Sequence, residues 1–282
     1  LQRGGDGVWS GSVGLLLLVL ATCLASGVRG AEAVAQYEPQ TAELFDVDYR
    51  GLVSRADLVY ESPASHPVEG QPIGNGVIGT MVWTSADAIR FQINRTDVFA
   101  TNKGHTGPDA WRAAGVGPAD YCGGIGQVAL NVGEEPFRAS PAFLQRLSVY
   151  DAEVLLAGAG VKARCYVSSA SDVLVIEVED QRPEPQPLRL TVSMWREPEV
   201  RTGLHVAKYR FHEAGNQVLV VQQFSERDYY CGSALAAGIG GEGVRLESST
   251  DKTRTLVAAP QPGCRTILVT TAASWSAADE VG

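Results

Sequence analysis

Between residues 57 and 271 apolar side chains recur at every second position rather than every third or fourth, a period that commits most of the chain to β-strands. Ala88-Ile89-Arg90-Phe91-Gln92-Ile93-Asn94 alternates strictly, as a sheet with one wet face requires. Residues 127–132, 161–167, 173–178, 188–194, 218–221, 254–258 and 265–271 are rich in Val, Ile and Leu and are bounded by Gly, Pro, Asp or Asn. The segment 180–187 (DQRPEPQP) is a connection that neither a helix nor a central strand can use. Scarcely any helical period follows residue 33, and no Pro/Gly-rich linker divides the rest. The expected fold is therefore all-β: one large antiparallel β-sandwich, or super-sandwich, over 57–273, with 34–56 as a lead-in segment.

The first 33 residues read differently. An apolar run, VGLLLLVLATCLA over 13–25, follows Arg3 and leads to Ala31-Glu32-Ala33, a small-x-small cleavage pattern, so 1–33 is predicted to be a secretory signal peptide. At 13 residues the run falls short of the ~20 that an ordinary membrane helix needs, and no stable membrane span is expected. The protein is predicted to be exported, periplasmic or extracellular, with Cys23 marking a lipoprotein site as the alternative. The chain of 282 residues carries 32 acidic against 23 basic side chains, a net charge of -9, which removes nucleic acid from its expected partners. After the leader, Cys122, Cys165, Cys231 and Cys264 remain; they allow three disulfide pairings or buried thiols, and their spacing forms no CxxC metal motif. The sequence opens on Leu1 and closes beyond Ser276-Ala277-Ala278-Asp279, a capping-box pattern, so 274–282 is expected to start a helix and the whole to be a fragment of a longer protein.

Two GxGxxG matches, 74–79 and 238–243, are followed by strand-like residues rather than a helix N-terminus and do not make nucleotide sites. His66, His105, His205 and His212 lack a ligand-like spacing, and no GxSxG elbow is present, so neither a metal nor a cofactor is expected. The string from Glu61 to Trp83, centred on Pro72-Ile73-Gly74-Asn75-Gly76, together with Ile89-Arg90-Phe91-Gln92-Ile93-Asn94-Arg95-Thr96-Asp97-Val98-Phe99, resembles the N-terminal domain of glycoside hydrolase family 95. That family contains inverting α-L-fucosidases and relatives acting on α-L-galactosides. The order Thr96-Asp97 and the presence of Phe99 depart from its pattern and look more like a neighbouring bacterial group, domain of unknown function 5703.

The resemblance implies an N-terminal sandwich joined by a helical linker to an (α/α)6 barrel that carries the catalytic acid and the water-activating residues. On that basis no catalytic residue is assigned within 1–282, and the expected partners are a fucose-like, α-linked glycan and the protein's own C-terminal barrel. The alternatives are a non-catalytic carbohydrate-binding or scaffolding module, and an enzyme whose site lies in the sandwich loops. The last requires two carboxyls about 6.5–9.5 Å apart, for which Glu69, Asp97, Asp109 and Asp120 are the candidates. Glycan contact is assigned to Trp111, in the Gly/Pro-rich loop 100–120, and to Glu69, Asn75, Asn94 and Asp97. The other aromatic candidates, Trp83, Trp195, Trp275, Tyr229 and Tyr230, are expected mostly in the core. Asn94-Arg95-Thr96 is also a glycosylation sequon.

Overall fold

The computed structural model describes residues 47–276 apart from 65, 100–123, 139, 203–204 and 227–228. The predicted leader, Trp111, Asp109, Asp120, Cys122 and the helix expected after residue 276 lie outside the described residues. In chain order the first strands are β1 (Leu58–Tyr60), β2 (Gln71–Gly74), β3 (Ile78–Ser85), β4 (Ala88–Arg95), β5 (Gly124–Asn131), β6 (Leu144–Ser148), β7 (Glu153–Gly158), β8 (Val161–Val167) and β9 (Val173–Asp180). They are followed by β10 (Leu188–Ser193), β11 (Glu199–Thr202), β12 (His205–Ala214), β13 (Gln217–Glu226), β14 (Tyr229–Ile239), β15 (Val244–Ser249), β16 (Thr253–Ala258) and β17 (Gly263–Ser274).

These strands form the expected pair of sheets. Among the described residues one has ten strands in the order β1-β6-β7-β8-β9-β17-β14-β13-β12-β11, and the other seven in the order β15-β16-β10-β5-β4-β3-β2. The pairs are antiparallel throughout both sheets. Many are hairpins closed by short turns, and Gly160, at φ 81° between β7 and β8, supplies a left-handed position that other residues adopt at a cost. Val82 on β3 and Ile89, Phe91 and Ile93 on β4 are fully buried, while Trp83, Gln92 and Asn94 between them stay half-exposed. Each large apolar side chain buried in this way contributes about 1.5–3 kcal/mol. One contiguous core joins the facing sides of both sheets, from Ile78 and Leu130 to Leu174, Leu235 and Ile267.

β9, β13 and β14 are buried on both faces, with Val173, Val175 and Leu268 in one small cluster and Leu219, Val221, Ala234 and Ala236 in another. This explains why β14 has no legible period. From Gly232 onward its residues facing away from the core, Gly232, Ala234, Ala236 and Gly238, are small, and it is held as a strand by β13 and β17 on either side rather than by propensity.

The lead-in segment ends in order: a single helical turn, α1 (Tyr49–Val53), is capped by the Asp48 carboxylate, which accepts from Gly51 N–H at 2.8 Å. β17 continues through Ser274, so the sandwich passes the expected boundary at 273, because Ser274 pairs with Gly232. Cys165 and Cys231 are buried and Cys264 is exposed, all three as thiols; burial pushes the Cys165 thiol far above its ordinary value. Among the described residues no helix is long and apolar enough to cross a membrane, and no group of three His, Cys, Asp or Glu could hold a metal ion.

Candidate functional site

The register brings one set of connections together at a single end of the sandwich. Ile78 pairs with Arg95 and Asn94 with Gly124, while on the other sheet Val173 pairs with Thr270 and Ser274 with Gly232. The β2–β3 turn, the segment leaving β4, the β8–β9 loop and the end of β17 therefore meet there. The turn is built by Asn75. Its Oδ1 accepts from the N–H groups of Val77 (3.0 Å) and Ile78 (2.9 Å), and Gly76 takes φ 92°. A side chain on Gly74 would stand 2.7 Å from the Ile78 carbonyl oxygen, which accounts for the first glycine of the motif. Nδ2 of Asn75 crosses to the ten-stranded sheet and donates to Ser168 O (3.0 Å), Ser171 O (3.2 Å) and Asp172 Oδ1 (3.3 Å).

Arg95 completes this cross-sheet clamp. It occupies the inward phase of β4, in line with Phe91 and Ile93, and its side chain is 7% exposed. The guanidinium grips Asp97 with a fork, Nε to Oδ1 at 2.8 Å and Nη2 to Oδ2 at 2.7 Å. Nη1 donates to Asp172 Oδ2 (3.0 Å) and to Thr271 Oγ1 (2.9 Å) and O (3.2 Å). The hydrogen bonds from Arg95 hold the Asp97 carboxyl below the usual carboxylate range. A catalytic acid must keep its proton near neutral pH, so Asp97 is tuned in the opposite direction.

A second buried polar group lies beside the clamp. Arg196 Nη2 donates to Gln222 Oε1, and its guanidinium stands 5.0 Å from the Phe224 ring centroid. Gln222 Nε2 donates to Ser233 Oγ at 2.8 Å and, across to the other sheet, to Gly124 O at 3.0 Å. His205 stacks on Phe224 at 5.6 Å, with Nδ1 3.9 Å from Glu226 Oε2.

Asn75 and Asp97 thus share one assembly through Asp172; no motif in the sequence marks Asp172, nor Arg196 and Gln222 of the neighbouring group. The available signal was phase: Arg95 and Gln222 are polar residues at inward positions of otherwise apolar alternation. Asn94 points to the opposite face of β4, where Nδ2 donates to Gln92 O at 3.3 Å. Glu69 belongs elsewhere. It closes the turn Pro67–Glu69 by accepting from His66 N–H at 3.1 Å. Its neighbour Gln71 pairs with Val82, four residues from the Ile78 level, or about 13 Å along the strand. Glu69 and Asp97 accordingly do not form a carboxyl pair.

The aromatic expectation also changes. Of the residues expected mostly in the core, Trp195 and Trp275 are exposed and Trp83 and Tyr229 half-buried; Tyr230 is buried. The interior is filled instead by branched aliphatics and by Phe91, Phe137 and Phe224. Tyr229 donates its hydroxyl to Phe99 O, with the two rings 6.2 Å apart, and Phe99 and Val77 are themselves exposed at this end. A groove of about 410 Å³ lies away from it, on the outer side of the ten-stranded sheet among Leu155, Lys162, Arg164, Glu177 and Cys264.

No family model and no curated protein matches the chain. Solved structures are distantly similar. A provisionally assigned kojibiose phosphorylase from the human microbiome is similar at 11% identity and a TM-score of 0.37, over 77% of this chain and 32% of its own. A GH92 family glycosyl hydrolase is similar at 12% identity and a TM-score of 0.34, over 72% and 30%. The family GH92 α-mannosidase from Bacteroides thetaiotaomicron is similar at 12% identity and a TM-score of 0.32, over 73% and 30%. The likeness is distant. The chain spans about a third of the length of these structures.

Proposed function

We propose that the chain is the β-sandwich portion of an exported bacterial glycoside hydrolase of the family 95 type, acting on α-linked, fucose-like glycans. In this reading the bond-breaking residues belong to an (α/α)6 barrel of the same polypeptide, and the sandwich braces it. The observation that carries the reading is how the motif residues are spent. Asn75, Arg95 and Asp97 commit their polar groups to joining the two sheets, while Val77, Phe99 and Trp275 stand exposed around them. A rigid polar clamp ringed by exposed apolar side chains is suited to seat another domain. The test compares the 282-residue chain with the complete reading frame on aryl α-L-fucosides. Only the longer protein is expected to turn over; hydrolysis by the short chain alone, or by neither, overturns the proposal. A second reading, a carbohydrate-binding module without catalysis, is favoured by the exposed Trp195 on the seven-stranded sheet.

A further inference from the structure

The outer face of the seven-stranded sheet has an unusual composition for a surface. Strand alternation turns Trp83 of β3, Gln92 of β4, Gln127 of β5 and Thr191 and Ser193 of β10 away from the core, and Trp195 follows at the end of β10. Gln92, Gln127 and Ser193 are directly paired neighbours across three adjacent strands. Trp195 is 41% exposed, and its ring occupies the space above Gly124: a Cβ there would lie 2.7 Å from Cη2 of the indole and 3.3 Å from Nε2 of Gln92. The indole therefore abuts the amide of Gln92, which accepts from Gln127 Nε2 at 2.9 Å. That single bond leaves Gln92 Nε2 as a donor and Gln127 Oε1 as an acceptor, side by side and next to an exposed aromatic ring.

Charge identifies the occupant. At the levels of Gln92 and Asn94 the paired residues are Met81, Gln127, Ser193, Gly79 and Gly124, none of them ionisable. Further along the face, the Arg189 and Glu247 charges are joined to each other at 2.8 Å. The Arg196 guanidinium lies 5.7 Å from the Trp195 ring centroid but is buried and donates to Gln222, and Arg90, paired with Trp83 at the far end of the face, donates to Ser85 Oγ at 3.2 Å, so both cations are already engaged by neutral side chains. What the face offers is a flat apolar ring with paired amide donors and acceptors, complementary to a molecule whose one side is C–H and whose edge is hydroxyl. From Trp195 to Trp83 the register gives about 15–20 Å, room for an oligosaccharide rather than one ring.

We infer that this face binds a neutral glycan chain, stacked on Trp195 and hydrogen-bonded by Gln92 and Gln127. The inference assigns sugar contact to the sandwich itself and does not rest on the hydrolase reading. Affinity electrophoresis of the full chain through gels containing xyloglucan, galactomannan or hydroxyethylcellulose, with polygalacturonate as the anionic control, tests it. Retardation is expected in at least one neutral gel and should persist in about 0.5 M NaCl, since no ion pair is involved. Trp195→Ala, and separately Gln92→Ala with Gln127→Ala, should each weaken that retardation about tenfold at an unchanged melting temperature. Gly124→Ala, which displaces the indole without removing it, should produce a smaller loss. Absence of retardation in every neutral gel, retardation by polygalacturonate alone, or retardation indifferent to these substitutions overturns the inference. Retardation without any turnover by the complete reading frame upholds it and removes the hydrolase reading instead.

Discussion

Replacing Arg95 by Met isolates the energy of the clamp. Met fills much of the same volume but deletes five hydrogen bonds, two to Asp97, one to Asp172 and two to Thr271. Removing one partner of a fully buried ion pair costs about 3–5 kcal/mol, because the charge left behind stays desolvated. Here the residual carboxylates are 30% and 33% exposed and recover part of their hydration, which places the loss near the lower bound, about 3 kcal/mol. For a domain of this size that is a fall in melting temperature of roughly 6–12 °C. Urea unfolding followed by tryptophan fluorescence measures it, with Arg189→Met as the control. Arg189 and Glu247 form a pair 39% and 30% exposed, and breaking it should cost about 0–1 kcal/mol.

The same variant has a pH signature. The folded carboxyl of Asp97 lies below its unfolded value, so its contribution is full above about pH 4, the ordinary carboxylate range, and is lost as pH falls through the folded value. The Arg95→Met protein should lack that part of the acid-side slope. In a double-mutant cycle, Arg95→Met with Asp97→Asn should show a coupling of about 1–3 kcal/mol. If Arg95→Met costs no more than Arg189→Met and leaves the acid limb unchanged, the cluster is not what joins the sheets.

The remaining predictions concern the turn and the thiols. Asn75→Ala strips both the turn and the cross-sheet bonds of their donor and acceptor and should lower the unfolding free energy by about 1–3 kcal/mol; hydrogen exchange should rise at Val77 and Ile78, whose amides lose their acceptor. Brief alkylation of the native protein followed by mass spectrometry should label Cys264 and spare Cys165 and Cys231, which become reactive only on unfolding.

What the chain discloses before its structure is known follows from which forces have a short period. β3 and β4 are legible because each has one buried and one solvated face, so Val82, Phe91 and Ile93 alternate visibly with Trp83, Gln92 and Asn94. β12 is harder, because its outer half carries Lys208, Arg210, His212 and Glu213, and β14 harder still, because both its faces are covered and small residues replace the pattern. The candidate site is less legible again. Asn75 and Asp97 belong to one recognisable segment, but Asp172 and Thr271, which complete the clamp, lie 77 and 176 residues beyond Arg95. Only the pairing of β9 with β17 brings Asp172 and Thr271 to Arg95.

Phase carries more information than identity at these positions. On β4 the polar residues Gln92 and Asn94 fall on the outward beat, where water satisfies them, and Arg95 on the inward one, where only fixed partners can. The same division holds on β13: Gln222 lies inward between Val220 and Phe224, bonded to Gly124, Ser233 and Arg196, while Gln223 beside it faces out. Inward polar residues at the ends of the strands therefore join the sheets, and outward ones at the same levels are left for a ligand. The two roles can be separated by experiment, since substitution of Arg95 or Gln222 should reduce stability, whereas substitution of Gln92 or Gln127 should leave stability in place and reduce only glycan binding.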